Sequence, residues 1–349
     1  MISDVTFVAI IFWASIGLLV FADVGYPALL AALVWLQRRV GGRRAGDRGR
    51  SGVAAASAAD LTEDSLPSVS VIVAAYAEER VIAERVQNLR RLDYPPTLVE
   101  IIVACDGSPD RTVEYARGAN ADVVLDLPRH GKVRAQDAGV ACARGSILAF
   151  SDANTSWDPS ALRALVSAFA DPRVGYVCGD VRLVGEGGSN QEGLYWRYEM
   201  ALRRLESRLR SVTAGNGAIY ATRPESYMHV DPVMGHDLSF PFNMVKRGWR
   251  AVYEPRARST EKMVPTVEGE FARKRRIMVH TWPIVLRGGL LSPRGYDPLY
   301  ALMILSHRGL RYLSPILHLV AFAASAITGM LRIAPGRAIE TSITRLIVS

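Results

Sequence analysis

From Pro67 onward the chain alternates short β-rich runs with stretches of helical periodicity. Ser68–Ala75, Val99–Ala104, Asp122–Asp126 and Ile147–Ser151 read as strands. Between them, Glu78–Leu92 places Val81, Ile82, Val86 and Leu89 at helical spacing, and Val133–Ala143 reads as a second helix. Continuous apolar strands separated by helices predict an α/β fold with a Rossmann-like, mostly parallel sheet. In such sheets ligands bind beyond the carboxyl ends of the strands, so the residues just past each strand matter most.

Each strand leads into polar chemistry. Tyr76-Ala77-Glu78-Glu79 comes after the first, and Cys105-Asp106-Gly107-Ser108-Pro109-Asp110 after the second. Arg129-His130-Gly131-Lys132 comes after the third, and Asp152-Ala153-Asn154-Thr155 after the fourth. Any one of these is ordinary turn chemistry. The four together suggest a nucleotide diphosphate site. Asp106 offers acceptors to a base or ribose, and Lys132 has the reach to meet a phosphate. Asp152 and Asn154 offer oxygens to Mg2+ or Mn2+, hard cations that share a site with phosphates.

Flanking this region are two apolar runs. Val5–Ala22 carries no charge, and apolar character resumes past Asp23 to Leu36. That exceeds the roughly 18 residues that mark a spanning helix. Only Met1-Ile2-Ser3-Asp4 precedes it, without Lys or Arg, which argues against a cleaved signal. One helix over Val5–Leu36 would be ~48 Å long, so it is expected to tilt or bend near Gly25-Tyr26-Pro27, or to form a two-span hairpin. Ser314–Leu331 is the second run, a span or a re-entrant helix. Arg38, Arg39, Arg43, Arg44, Arg48 and Arg50 lie directly behind the first run, and the positive-inside rule places such a flank in the cytoplasm. The expected organisation is an N-terminal anchor over 1–40, a flexible linker over 41–66 and a catalytic domain over 67–265. Amphipathic interfacial helices over 266–312, a spanning or re-entrant helix over 313–333 and a tail over 334–349 complete it.

The motifs in their order resemble the membrane-anchored family-2 glycosyltransferases of the GT-A fold. The resemblance is carried by VIVAAYAEE (71–79), ACDGSPDRT (104–112), HGKVRAQDAGVACARG (130–145) and FSDANTSW (150–157). GNGAIYA (215–221), MGHDLSFPFNMVKRGWRAVYEP (234–255) and FARKRRIMVHTW (271–282) extend it. It implies inverting transfer of a sugar from a nucleotide sugar, usually UDP-linked, to a lipid-linked or polysaccharide acceptor at the cytoplasmic face of the membrane. Envelope or exopolysaccharide biosynthesis is the process implied. It also implies roles. Ala75, Tyr76, Glu78, Asp106 and Lys132 would bind the donor nucleotide, Asp152 and Asn154 the metal, and Asp237 would be the catalytic base. His236, Arg275, Arg276 and Trp282 become candidates for the diphosphate or acceptor. Asp237 also reads as a helix cap, and 273–285 as an interfacial helix.

The sequence departs from the family pattern in places. Ala74 and Ala77 replace Pro and Asn of the first loop, Asn154 replaces the second acid of the metal motif, and His236 stands where an acid usually precedes Asp237. The QxxRW motif of polysaccharide synthases is absent, with Ile277 in its region. These departures leave two rival readings. One is a processive polysaccharide synthase, disfavoured by the missing motif and the single clear C-terminal apolar run. The other is a catalytically degenerate scaffold subunit, disfavoured by Asp106, Asp152 and Asp237.

Forty-two Lys and Arg against 34 Asp and Glu give a net charge of +8. The excess concentrates in 38–50 and 271–287, at the expected membrane surface and near a diphosphate leaving group, which sets nucleic acid aside as a partner. Cys105, Cys142 and Cys178 are widely spaced and read as reduced thiols.

Overall fold

The structure is a computed structural model, and it describes residues 4–44, 63–184, 191–262 and 267–347. Most of the expected linker, 45–62, lies outside the described residues. Two compact units are present, one of residues 1–32 and 302–349, the other of residues 33–301.

In the first unit, α1 (Asp4–Val20) runs through a widened turn at Phe21–Gly25 into α2 (Tyr26–Arg44). The expected break near Pro27 is therefore not a hairpin. Proline lacks an N–H and crowds the preceding turn, and here the turn before it widens by one residue while Tyr26 N–H reaches Phe21 O. The other chain segment of this unit passes from a second widened turn, Ile304–Gly309, into the long helix ending at Ile347. The two segments pack on each other, and the Tyr26 ring lies 5.5 Å from the His307 ring. The helices Thr6–Val40 and Pro298–Gly329 are long and apolar enough to cross a membrane.

The second unit is a single mixed sheet with helices. Its elements are β1 (Val69–Ala75), α3 (Ile82–Arg90), β2 (Val99–Asp106), α4 (Thr112–Gly118), β3 (Val123–Leu127), α5 (Lys132–Cys142) and β4 (Ile147–Asp152). Next come β5 (Thr155–Trp157), α6 (Ala161–Ser167), β6 (Val174–Val184), α7 (Gln191–Leu209), β7 (Tyr220–Thr222), α8 (His236–Lys246) and β8 (Arg250–Lys262). After β8 come α9 (Val267–Leu286) and α10 (Pro298–Met303), and α11 is the long helix Leu310–Ile347. The strand order is β3-β2-β1-β4-β7-β6-β8-β5. The four strands expected from sequence form the parallel half. Beyond it, β7 runs antiparallel to both neighbours, β8 pairs parallel with β6, and β5 closes the edge antiparallel to β8.

Alternation along β1 explains why both faces are covered. Val69, Val71 and Val73 pack into one core with Ile101, Val103 and the apolar face of α3. Ile72 points the other way, into a core with Ile102, Phe150, Tyr220 and Phe240. Period-two burial on both faces is the signature of a sheet buried between layers. The parallel strands end together, so the loops after β1, β2, β3 and β4 share one edge of the unit.

Candidate active site

Backbone geometry first fixes the loop after β1. Ala77 has φ +54°, a conformation disfavoured for any residue with a Cβ. Three bonds across to the loop after β2 hold it there. Ala77 N–H donates to Ser108 Oγ at 3.2 Å, Glu78 N–H to Thr112 Oγ1 at 2.9 Å, and Glu79 N–H to Asp110 Oδ2 at 3.1 Å. Asn tolerates this region better than Ala. Ala77→Asn is thus expected to raise stability by about 0.5–1 kcal/mol, read as a shift in denaturation midpoint at constant slope. An unchanged midpoint would mean the loop relaxes freely.

Asp106 ends β2 with its side chain 6% exposed. Its carboxylate accepts from His130 N–H at 2.7 Å and from Gly131 N–H at 2.9 and 3.0 Å, and pairs with Arg129 at 3.2 Å. These partners fill the acceptor capacity of one carboxylate. Asp106 therefore fastens the loop that delivers Lys132. Gly107, at φ +63°, permits this closure, because a Cβ there would stand 2.8 Å from Arg129 N. The Arg129 guanidinium lies 3.1 Å from the centre of the Tyr76 ring, a cation–π stack that sequence reasoning passed over. Its signal was its place directly before His130-Gly131-Lys132.

Lys132 opens α5 and forms an ion pair with Asp152 at the end of β4. Lost hydration works against the ammonium, but Asp152, Asp237 and Glu261 outweigh it and hold the lysine above its ordinary pKa. Glu261, near the end of β8, had no signal in the sequence. Glu78 is raised, by burial first and then by the charges of Asp152 and Asp110. Negative charge is thus concentrated around one lysine. Gly217 closes the group, since a Cβ there would stand 3.2 Å from Lys132 Nζ and 3.4 Å from Asp152 Oδ2. Asn154, two residues past Asp152, is exposed.

Asp237 is exposed in the first turn of α8. Its neighbour His236, the candidate for the diphosphate or acceptor, is only 4% exposed and turns inward. Gln136 donates to the Tyr220 hydroxyl at 3.1 Å, and that hydroxyl meets His236 Nδ1 at 2.8 Å. The ring stacks on Phe240 at 4.0 Å. Burial first, then Lys132 and His229, push the His236 pKa down to about 3. A histidine that is neutral when folded and titrates ordinarily when unfolded gives stability that is complete above about pH 6.5. That stability is lost as pH falls, by up to about 1.4 kcal/mol per pH unit. His236→Leu is expected to flatten the difference in stability between pH 6.5 and pH 4.5. Parallel curves for the two proteins would contradict this.

Ala75 is buried at the end of β1, and Tyr76 is exposed. Arg275 and Trp282 are exposed on α9, and the Arg276 side chain lies outside the described residues. The site therefore gathers Tyr76, Glu78, Asp106, Lys132 and Asp152 at one sheet edge, with Asp237 and Glu261 within the electrostatic reach of Lys132.

A divalent cation fits this arrangement in a particular way. Among the described residues no three His, Cys, Asp or Glu side chains group closely enough to hold a metal. Asp152 is the carboxylate bonded to Lys132, whose ammonium stands on it as a built-in positive charge, and Asn154 is exposed two residues further on. Such a donor set suits a cation whose remaining ligands are substrate phosphates.

Residues 70–229 match the family described as glycosyl transferase family 2. The poly-beta-1,6-N-acetyl-D-glucosamine synthase of Staphylococcus aureus (strain COL) is 26% identical over 257 residues, covering 70% of this chain and 62% of the synthase. The chain thus matches less than two thirds of that relative's length. Glycosyltransferase AglE of Haloferax volcanii is 29% identical over 136 residues, 38% of this chain and 45% of that protein. Among solved structures, the mannosyltransferase PcManGT from Pyrobaculum calidifontis, in complex with GDP-Man and Mn2+, superposes with a TM-score of 0.66. It is 22% identical and the match covers 94% of this chain and 92% of that one. Residues 70–229 accordingly resemble glycosyl transferase family 2, and the chain shares the fold of that mannosyltransferase.

Proposed function

We propose that the protein is a membrane-bound inverting glycosyltransferase. It moves a sugar from a nucleotide sugar, UDP-linked in the first instance, to a lipid-linked or glycan acceptor at the cytoplasmic face of the membrane. The observation that carries this reading is the Lys132–Asp152 ion pair at the carboxyl edge of the parallel strands, with Asp237 within electrostatic reach of Lys132. The two apolar helices and the arginines behind the first support the location.

Inverting transfer is a direct displacement. Asp237, exposed at the start of α8, takes the proton of the acceptor hydroxyl as its oxygen attacks the anomeric carbon. The bond from that carbon to the diphosphate breaks on the opposite face. Lys132 supports the charge that grows on the leaving diphosphate. A bound Mg2+ or Mn2+, held by Asp152 and Asn154, would supply further charge neutralisation. Tyr76 and Arg129 line the place for the base. Arg275 and Trp282, exposed on α9, belong on this reading to the membrane surface or the acceptor.

Incubating the purified protein with a panel of nucleotide sugars and a membrane lipid extract tests the reading. The expected result is release of the nucleoside diphosphate, dependent on the extract, from one class of donor. No release from any donor, with Mn2+ present, would contradict it.

The synthase relative favours a second reading, polymerisation. Product length separates the two, since single transfer gives one added sugar and a synthase gives a ladder.

A further inference from the structure

Within electrostatic reach of Asp152 stands a cation that sugar transfer itself does not use. Arg85 is on α3, between Ile82 and Leu89 on the helix face turned to the core, and is 2% exposed. Its guanidinium lies 4.9 Å from the centre of the Trp157 ring and donates to Asn88 Oδ1. The Asn88 amide clasps the Trp157 backbone, with Nδ2 to Trp157 O at 3.0 Å and Trp157 N–H to Oδ1 at 2.9 Å. The Trp157 indole N–H in turn donates to Ala218 O at 3.0 Å, next to Gly217. Arg85 Nε and one terminal nitrogen are buried without a hydrogen-bond partner among the described residues. A buried, incompletely bonded guanidinium is costly as a purely structural part. Burial pushes it down to about 9, and the charge of Asp152 opposes that fall, so it stays charged at neutral pH.

Asp152 is thus bonded to one cation of the chain itself, Lys132, and lies within electrostatic reach of a second, Arg85. Asn154 brings no second negative charge. Gly217 keeps its bare Cα against both Lys132 Nζ and Asp152 Oδ2, which leaves the ammonium room to move.

We propose, on the glycosyl-transfer reading, that Lys132 is a counter-ion lock on Asp152: Lys132 and a divalent cation are alternative occupants of this carboxylate, Arg85 biases the competition toward Lys132, and the cation therefore enters together with the donor diphosphate. Lys132 leaves Asp152 for the phosphate oxygens when the donor arrives. Donor-free protein then holds metal weakly, and nucleotide and metal raise each other's affinity.

The test reads metal binding rather than activity. The full chain in detergent is titrated with Mn2+, and free Mn2+ is followed by electron paramagnetic resonance, with and without UDP or GDP. Wild type alone is expected to bind Mn2+ weakly, and nucleotide to tighten it. Lys132→Met is expected to raise the donor-free Mn2+ affinity about tenfold or more and to shrink the nucleotide effect. Arg85→Met is expected to act in the same direction and Arg85→Lys to restore wild-type behaviour, with melting curves verifying that both fold. Should Arg85→Met fail to fold, the Lys132→Met comparison decides alone. Unchanged or weaker Mn2+ binding in Lys132→Met, with nucleotide and Mn2+ still bound by wild type, overturns the lock and leaves the glycosyl-transfer reading standing. Absence of UDP and GDP binding with Mn2+ in wild type overturns both.

Discussion

Asp237→Asn is expected to cut sugar transfer by about 10²–10⁴-fold, the usual worth of a positioned general base, while nucleotide binding and melting temperature stay put. The carboxylate is exposed in the first turn of α8, so the amide costs little in packing. Close fit on its other side comes from Gly235, where a Cβ would stand 2.7 Å from Asp237 Oδ1. His236 beside it is buried and, with its pKa pushed down to about 3, too weakly basic to substitute as a base. Lys132 feels the Asp237 charge, which links the base to the diphosphate side of the site. The check is kcat and donor KM measured together. A fall in kcat with KM unchanged marks an interaction made in the transition state. Full activity in this variant would remove Asp237 from the mechanism.

Asp106→Ala is the second large effect, and it is structural first. Removing this carboxylate leaves two backbone N–H groups unpaired and takes one of several partners from the half-exposed Arg129, a loss of about 2 kcal/mol by the usual cost of unsatisfied buried donors. The loop that carries Lys132 then comes away from β2, and nucleotide affinity falls with it. Asp106→Asn keeps one acceptor oxygen and is expected to recover part of both. Chemical denaturation and nucleotide titration on the same variants make the check. Lost nucleotide binding at unchanged stability would instead mean that Asp106 reads the base directly.

Where apolar runs were long and uninterrupted, the fold was legible. The four parallel strands and the helices α3 and α5 lie within a few residues of where periodicity places them. The antiparallel half was not. β7 is three residues, too short to show a period, and β8 mixes Arg, Glu and Lys with a proline at 255. In the site, Lys132 and Asp152 were legible because each sits at or just past the end of a strand. Asp106 ends β2, as the strand pattern implies, but its saturation by the 129–131 loop is a fact of tertiary closure. Glu261 reaches the site only through the pairing of β8 with β5 and β6. Arg85 was visible in principle, because a charge three residues after Ile82 and one before Val86 falls on the buried helix face.

Direct displacement at the anomeric carbon is the central step of the proposed chemistry, and the anomeric configuration of the product tests it. Proton NMR of the product made by wild-type protein from an α-linked nucleotide sugar measures it. A β-linked product is expected, formed in one displacement with Asp237 as the base. An α-linked product would contradict direct displacement.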